Sequence, residues 1–162
     1  ASATGYVMDG RVLIERAQLL AQQNKVTYDH PIDVLSLVID IANLKQFYTQ
    51  YGGARPFGVS ILFAGVDDSG PQLYVTDVTG IYFQFKATVV GENETQLKEI
   101  LDKEYKSDLD INDGLRLAVS AFKRVFGKEF DVERLDGAYI KTSDKMFTRI
   151  DEETLKKIAR KT

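Results

Sequence analysis

The chain has 162 residues, which is enough for one domain with a sizeable core, and its 44% hydrophobic and 28% charged residues are typical of a globular protein. Its net charge of -3 argues against a surface that neutralises nucleic-acid phosphates. The absence of cysteine, the single histidine and the lack of a long apolar run exclude disulfides, cysteine nucleophiles, multi-histidine metal clusters and a membrane-spanning helix.

Two helices are predicted in the opening part of the sequence. Residues at about 8–24 carry apolar side chains at helical spacing, and a second, broader apolar stripe runs over about 32–50. Pro31 suits the first turn of the second helix, with Asp29 or His30 as its N-cap. Residues before the first helix are small, and they are interpreted as the end of a strand.

A β-meander is predicted after the second helix. The segment that opens it is apolar at both alternations, as in a strand that is covered on both faces. Strong turn signals at 67–71 and 77–80 then separate successive strands. The predicted strands are 59–66, 72–76, 81–85 and, after a bend, a short one at 86–90.

The second half of the sequence predicts a helix pair, a hairpin and a last short helix. The absence of internal repeats and of a linker rich in proline, glycine and serine predicts one domain over residues 1–162. The predicted elements are helices at about 93–105 and 112–126, strands at 135–141 and 146–150, and a final helix capped by Asp151.

The order of these elements indicates an α+β fold. Pairs of helices alternate with antiparallel strands, which fits helices on the outer faces of two stacked sheets. Two helix pairs need two sheets, and five or six strands are too few for both. We therefore expect that strands are missing before Ala1 and that the chain begins within a longer domain.

The candidates for chemistry favour structural roles when they are taken one at a time. His30 stands beside Pro31 without a nucleophile motif around it, which favours a capping or exposed position. Thr4 would need a free α-amine to act as a nucleophile, and Ala1 precedes it by three positions. We expect an ion pair between Asp9 and Arg11, and we interpret Asp67, Asp68 and Asp77 as hairpin-turn residues rather than metal ligands.

The segment Tyr51-Gly52-Gly53 leaves two interpretations open. It ends the second helix, where one glycine would suffice as a C-cap, and it precedes the connector that starts at Arg55. The simpler interpretation is a turn. The other is a tip with few side chains that lines an opening through which an extended chain passes.

Four segments of the sequence resemble proteasome α-type subunits, especially archaeal ones. The most specific is 48–60 (YTQYGGARPFGVS), which resembles the hallmark segment of that family. The segments 3–13, 64–74 and 85–91 agree with the family in the same order. The resemblance covers nearly the whole chain.

The resemblance implies a four-layer αββα sandwich of the N-terminal-nucleophile hydrolase type, here without its first strands and N-terminal helix. It implies a non-catalytic structural and gating subunit in the outer ring of a barrel-shaped protease, whose inner β-type rings carry the threonine nucleophile. The implied partners are other α subunits in a heptameric ring, β subunits, an activating ATPase ring and unfolded protein. A cytoplasmic location is implied, with no cofactor, no metal and no catalytic residue.

The same resemblance assigns site residues. Tyr51, Gly52 and Gly53 would line the annulus below the gate, and Gly5 and Tyr6 would form part of the pocket for the C-terminal tails of the activator. Tyr6 replaces a more usual leucine, and the lysine of that pocket would lie in the absent segment. The first and second helices are where the family makes α–β ring contacts.

Two alternatives from other classes remain open. One is an active β-type N-terminal threonine hydrolase, which is disfavoured because position 1 is alanine. The other is a free-standing α+β interaction module that uses exposed sheet edges to pair with another chain.

Overall fold

The computed structural model describes residues 1–161. These residues separate into two units, one over Ala1–Lys86 and one that begins at Ala87. The prediction of one domain over residues 1–162, whose last residue lies outside the described part, stays a prediction.

The first unit combines two long helices with a four-stranded antiparallel sheet of order β1-β2-β3-β4. The first strand pairs with the second so that Gly5 lies opposite Val59, and Asp67 opposite Gly70 closes the hairpin between the second and third strands. The elements are β1 (Ser2–Gly5), α1 (Val7–Tyr28), α2 (Val34–Gln50), β2 (Val59–Asp67), β3 (Gly70–Thr76) and β4 (Tyr82–Gln84).

The core of this unit lies between the two helices and one face of the sheet. Alternate residues of β2, which are Val59, Ile61 and Phe63, are buried against Leu13 of α1 and Ile41 of α2. The residues between them on β2 are half-buried or exposed. The prediction of a strand covered on both faces is therefore wrong for the described residues, because one face of β2 is buried and the other is half-buried or exposed.

The start of α2 differs from the prediction. The N-cap is Asp33, whose Oδ1 accepts a hydrogen bond from the Ser36 amide at 2.8 Å. Helix α1 continues to Tyr28 and ends at Asp29, which adopts a left-handed conformation. The predicted cap at Asp29 or His30 is wrong, because the side chain that accepts from a helix amide is that of Asp33, beyond Pro31.

The second unit contains three helices and a two-stranded antiparallel hairpin. Helices α3 and α5 both pack against α4, and the hairpin pairs Tyr139 with Thr148. The elements are α3 (Glu94–Glu104), α4 (Ile111–Phe126), β5 (Ala138–Ile140), β6 (Phe147–Arg149) and α5 (Glu152–Lys161), with short 3-10 turns at Gly127–Glu129 and Val132–Arg134.

The cap at Asp151 is confirmed, since its carboxylate accepts hydrogen bonds from the Thr154 amide at 2.7 Å and from the Thr154 hydroxyl at 2.9 Å. The strand predicted at 86–90 was wrong, because these residues form bends and coil.

None of the helices in residues 1–161 is long and apolar enough to span a bilayer.

Candidate functional site

The junction between β1 and α1 lies directly against the segment that leads into β2. Gly5 has a φ of +119°, and a Cβ on it would lie 2.3 Å from the carbonyl oxygen of Gly58. The Tyr6 amide donates a hydrogen bond to that oxygen at 3.0 Å. The structure thus places the predicted pocket residues Gly5 and Tyr6 against the end of the segment that follows Tyr51-Gly52-Gly53.

Asp9 is the side chain that joins these two segments. It is only 7% exposed. Its two carboxylate oxygens accept hydrogen bonds from Nη1 and Nη2 of Arg55, at 2.6 and 2.7 Å. Oδ2 also accepts from the Gly58 amide at 2.9 Å. A bidentate pair with a charged donor is among the stronger polar contacts available to a side chain.

The predicted Asp9–Arg11 ion pair was wrong. Residues two apart on a helix point in different directions, whereas residues four apart are neighbours. Arg11 instead pairs with Glu15, with Nε 2.8 Å from Oε1, on the exposed side of α1. Asp9 faces inward to Arg55, which is 46 residues away in sequence.

The environment of Asp9 fixes its ionisation. The hydrogen bonds from the Arg55 guanidinium, and then the one from the Gly58 amide, lower the pKa of the Asp9 carboxyl to about 2. The carboxylate therefore stays charged through the neutral and mildly acidic range, and so does the guanidinium that it holds.

Tyr6 forms one wall of this contact and is also open to solvent. The guanidinium carbon of Arg55 lies 5.5 Å from the centroid of the Tyr6 ring, a cation–π distance. A Cβ on Gly58 would lie 2.4 Å from the ring, so a side chain at position 58 would displace it. Tyr6 is nevertheless 68% exposed.

The segment Tyr51-Gly52-Gly53 forms an exposed turn after the last residue of α2. Gly53 adopts a φ of +87°, and a Cβ on either glycine would meet nothing within 4 Å. The Tyr51 ring stacks on Phe47 with centroids 5.2 Å apart, and Tyr48 packs on Phe57 at 4.8 Å. The turn therefore places two glycines next to a cluster of aromatic rings at the end of α2.

The other candidate residues lie on an exposed surface, in a strand or in turns. The His30 ring is exposed and lies 3.4 Å from the Asp68 carboxylate. Thr4 lies within β1, paired with Ser60. Asp67 and Asp77 each accept hydrogen bonds from the backbone of their own turn, at Ser69 and at Thr79 and Ile81, which confirms that they are turn residues.

Acidic and histidine side chains do not group into a metal site within residues 1–161, where no three of them come together.

The sequence interpretation missed two residues that the structure shows to be important. Arg55 was treated as part of a connector, and its partner lies in a different element. Lys45 lies within the predicted second helix but was not singled out, although its ammonium group is buried. The signal for Lys45 was available, because it follows Ile41 by four residues and so lies on the apolar face of the helix.

Comparison with known proteins defines the class to which this architecture belongs. The family model for "Proteasome subunit" matches residues 1–139. The chain therefore belongs to the proteasome subunit family, with the α+β fold of the N-terminal-nucleophile hydrolases.

Individual relatives are more specific about the type of subunit. The chain is 44% identical over 156 residues to a protein of Archaeoglobus fulgidus, which covers 96% of this chain and 63% of the relative. It is 40% identical to one from Methanocaldococcus jannaschii, over 99% of this chain and 61% of the relative, and 40% identical to one from Thermococcus onnurineus, over 97% and 60%. Each of the three is named "Proteasome subunit alpha". The chain spans about three fifths of the length of the curated relatives that it matches.

Proposed function

We propose that this protein acts as a non-catalytic α-type subunit in the outer ring of a proteasome core particle, where it helps to control the access of unfolded protein to the proteolytic chamber. The observation that carries the proposal is the similarity to relatives named as α subunits over 96% or more of this chain in each of the three comparisons above. Both units would then belong to a single subunit-type domain, in a cytoplasmic complex.

The exposed turn at Tyr51, Gly52 and Gly53 supports the role of an annulus. A passage for an extended polypeptide needs width and few adhesive side chains, and the two glycines leave the space around them open. The stacking of Tyr51 on Phe47 fixes the position of the aromatic residue beside them. These properties favour a lining segment over a turn that only connects α2 to β2.

The exposed Tyr6 ring supports the role of Gly5 and Tyr6 in docking an activator tail. A C-terminal peptide segment could contact the open part of the ring, while the backbone beneath it is fixed by the hydrogen bond from the Tyr6 amide to Gly58. The proposed ligand is the C-terminal tail of an activating ATPase ring.

The exposed face of α1 supports assembly with other subunits. Val12, Leu19 and Val26 are spaced by seven residues, lie on one side of the helix, and are 50%, 45% and 87% exposed. A row of exposed apolar side chains is typical of a surface that another protein covers. The proposed partners are β subunits, alongside α subunits in a heptameric ring.

Native mass spectrometry of the chain, alone and with the β-type subunit of the same organism, tests the assembly. We expect a ring, or a complex with β subunits, and no hydrolysis of a fluorogenic peptide by this chain alone. A monomer under both conditions would contradict the proposal. Stoichiometric labelling by a covalent threonine-directed probe would instead favour a catalytic subunit.

A further inference from the structure

We propose that Asp9 and Arg55 form a positioning pair, which couples the exposed tip of the segment 51–58 to the Tyr6 surface. This segment is called the tip loop below. The coupling of the two surfaces follows from contacts within the first unit. Only its consequence for substrate passage rests on the proposed function.

The side-chain hydrogen bonds of the tip loop lie at one end, whereas the stacking of Tyr51 on Phe47 lies at the other. The Gly52–Gly53 end has open space around it, whereas the Arg55–Gly58 end donates three hydrogen bonds to Asp9. The structure shows three hydrogen bonds to the Asp9 carboxylate, and the tip loop donates all three. Asp9 thus binds both a side chain of this loop, that of Arg55, and a backbone amide of the loop, that of Gly58.

Because Asp9 is buried, the loss of either partner would be costly. A carboxylate that is 7% exposed has lost most of its hydration, and it needs charged or N–H donors in its place. Without Arg55, the carboxylate would retain the single Gly58 amide and would draw in water or turn outward. The loop would then lose its charged anchor on the C-terminal side of the tip.

Tyr6 is attached to the same end of the tip loop. Arg55 stacks on its ring, Gly58 lies beneath the ring, and its amide donates to the Gly58 carbonyl. A ligand that pushes the Tyr6 ring toward the tip loop therefore has to displace Arg55 or Gly58, and one that draws the ring outward breaks its contact with Arg55. Conversely, a loosened tip loop removes the support of the ring.

The variants follow from the chemistry of the pair. Asp9→Asn keeps the size of the side chain but removes its charge and one of its two equivalent acceptors. Arg55→Gln removes the opposite charge. Arg55→Lys keeps the charge but not the planar fork that binds both oxygens. We expect the mobility of the tip to increase in the order wild type, Arg55→Lys, Arg55→Gln, with Asp9→Asn similar to Arg55→Gln.

The tip can be monitored directly because the sequence contains no tryptophan. The substitution Tyr51→Trp, made in every variant of the full chain, provides a single fluorophore that keeps an aromatic ring against Phe47. We expect Asp9→Asn to raise the acrylamide quenching constant by roughly twofold and to lower the nanosecond anisotropy of the reporter.

A matched control is Asp136→Asn in the second unit. This substitution disrupts another bidentate pair, in which Nε and Nη2 of Arg149 donate to the Asp136 carboxylate at 3.1 and 2.9 Å. It should leave the reporter unchanged. If Asp9→Asn and Arg55→Lys lower the thermal midpoint but leave the reporter like that of the control, the two residues support the fold only and the proposal is overturned.

A second measurement separates the pair from the proposed function. In particles assembled with β subunits, the degradation of unfolded casein is compared with the hydrolysis of a short fluorogenic peptide. A change in this ratio with Asp9→Asn supports both proposals. A mobile reporter with an unchanged ratio supports the positioning pair and counts against the annulus.

Discussion

Lys45 carries its ammonium group into the core of the first unit. The side chain is fully buried, and Nζ donates to the carbonyls of Val59, Thr76 and Asp77 and to the Thr76 hydroxyl, at 2.8 to 3.3 Å. These contacts tie α2 to β2 and to the end of β3. Neutral oxygens replace water only in part, so burial lowers the pKa of the Lys45 ammonium to about 8.

The lowered pKa of Lys45 predicts a pH-dependent stability. The unfolded chain has the ordinary lysine pKa of 10.5, so between about pH 8 and 10.5 it binds more protons than the folded chain. The free energy of unfolding should therefore rise with pH in this range, by at most about 1.4 kcal/mol per pH unit from this group. Urea unfolding from pH 7 to 10 measures the effect as the difference between wild type and Lys45→Met.

The free energy of unfolding of wild type minus that of Lys45→Met should increase as the pH rises, since the variant has no amine at this position. The matched control is Lys25→Met, at an exposed position of α1. Its stability should run parallel to that of wild type. Parallel curves for Lys45→Met as well would mean that the buried amine is not the titrating group.

At the scale of elements, the helices followed from the sequence more closely than their boundaries and contacts did. Periodic apolar residues located α1, α2, α3 and α4, because a buried stripe at helical spacing is a local property. The cap of α2 was missed because several polar residues near Pro31 compete for that role, and only the structure shows which side chain reaches the Ser36 amide. The short β4 and the coil at 86–90 depend on pairing with distant residues.

In the candidate site, too, the sequence predicted local features but not contacts between distant residues. The tip glycines were visible as a local departure from an ordinary C-cap. The contact between Asp9 and Arg55 joins residues 46 positions apart, and the sequence offered Arg11 as a nearer partner. A local pattern could not decide between them, because the answer depends on which face of α1 packs against the sheet.

The cap of α2 carries a prediction at this scale. Asp33→Ala removes the acceptor for the Ser36 amide, and the loss of such a cap costs about 1 kcal/mol of stability. Asp33→Asn retains an acceptor and should lose less. Chemical unfolding of both variants measures the difference, and equal losses would show that charge rather than the hydrogen bond stabilises this end.

At the scale of the whole molecule, both groups of predicted site residues lie in the first unit. Gly5 and Tyr6 lie at one end of the tip loop and Gly52 and Gly53 at the other, within one sheet-and-helix layer. Under the proposed function, the docking surface and the passage lining would therefore both belong to this unit.

The proposed annulus can be tested by a side chain that would narrow it. Gly52→Leu is preferable to a substitution at Gly53, because Gly53 lies at a φ of +87° and any side chain there adds backbone strain. In an assembled particle, we expect Gly52→Leu to slow the degradation of unfolded casein severalfold more than the hydrolysis of a short peptide, since only the longer chain must thread. The matched control is Gly114→Leu on α4, where a Cβ also meets nothing within 4 Å. Equal slowing of both substrates, or the same effect in the control, would count against an annulus formed by this turn.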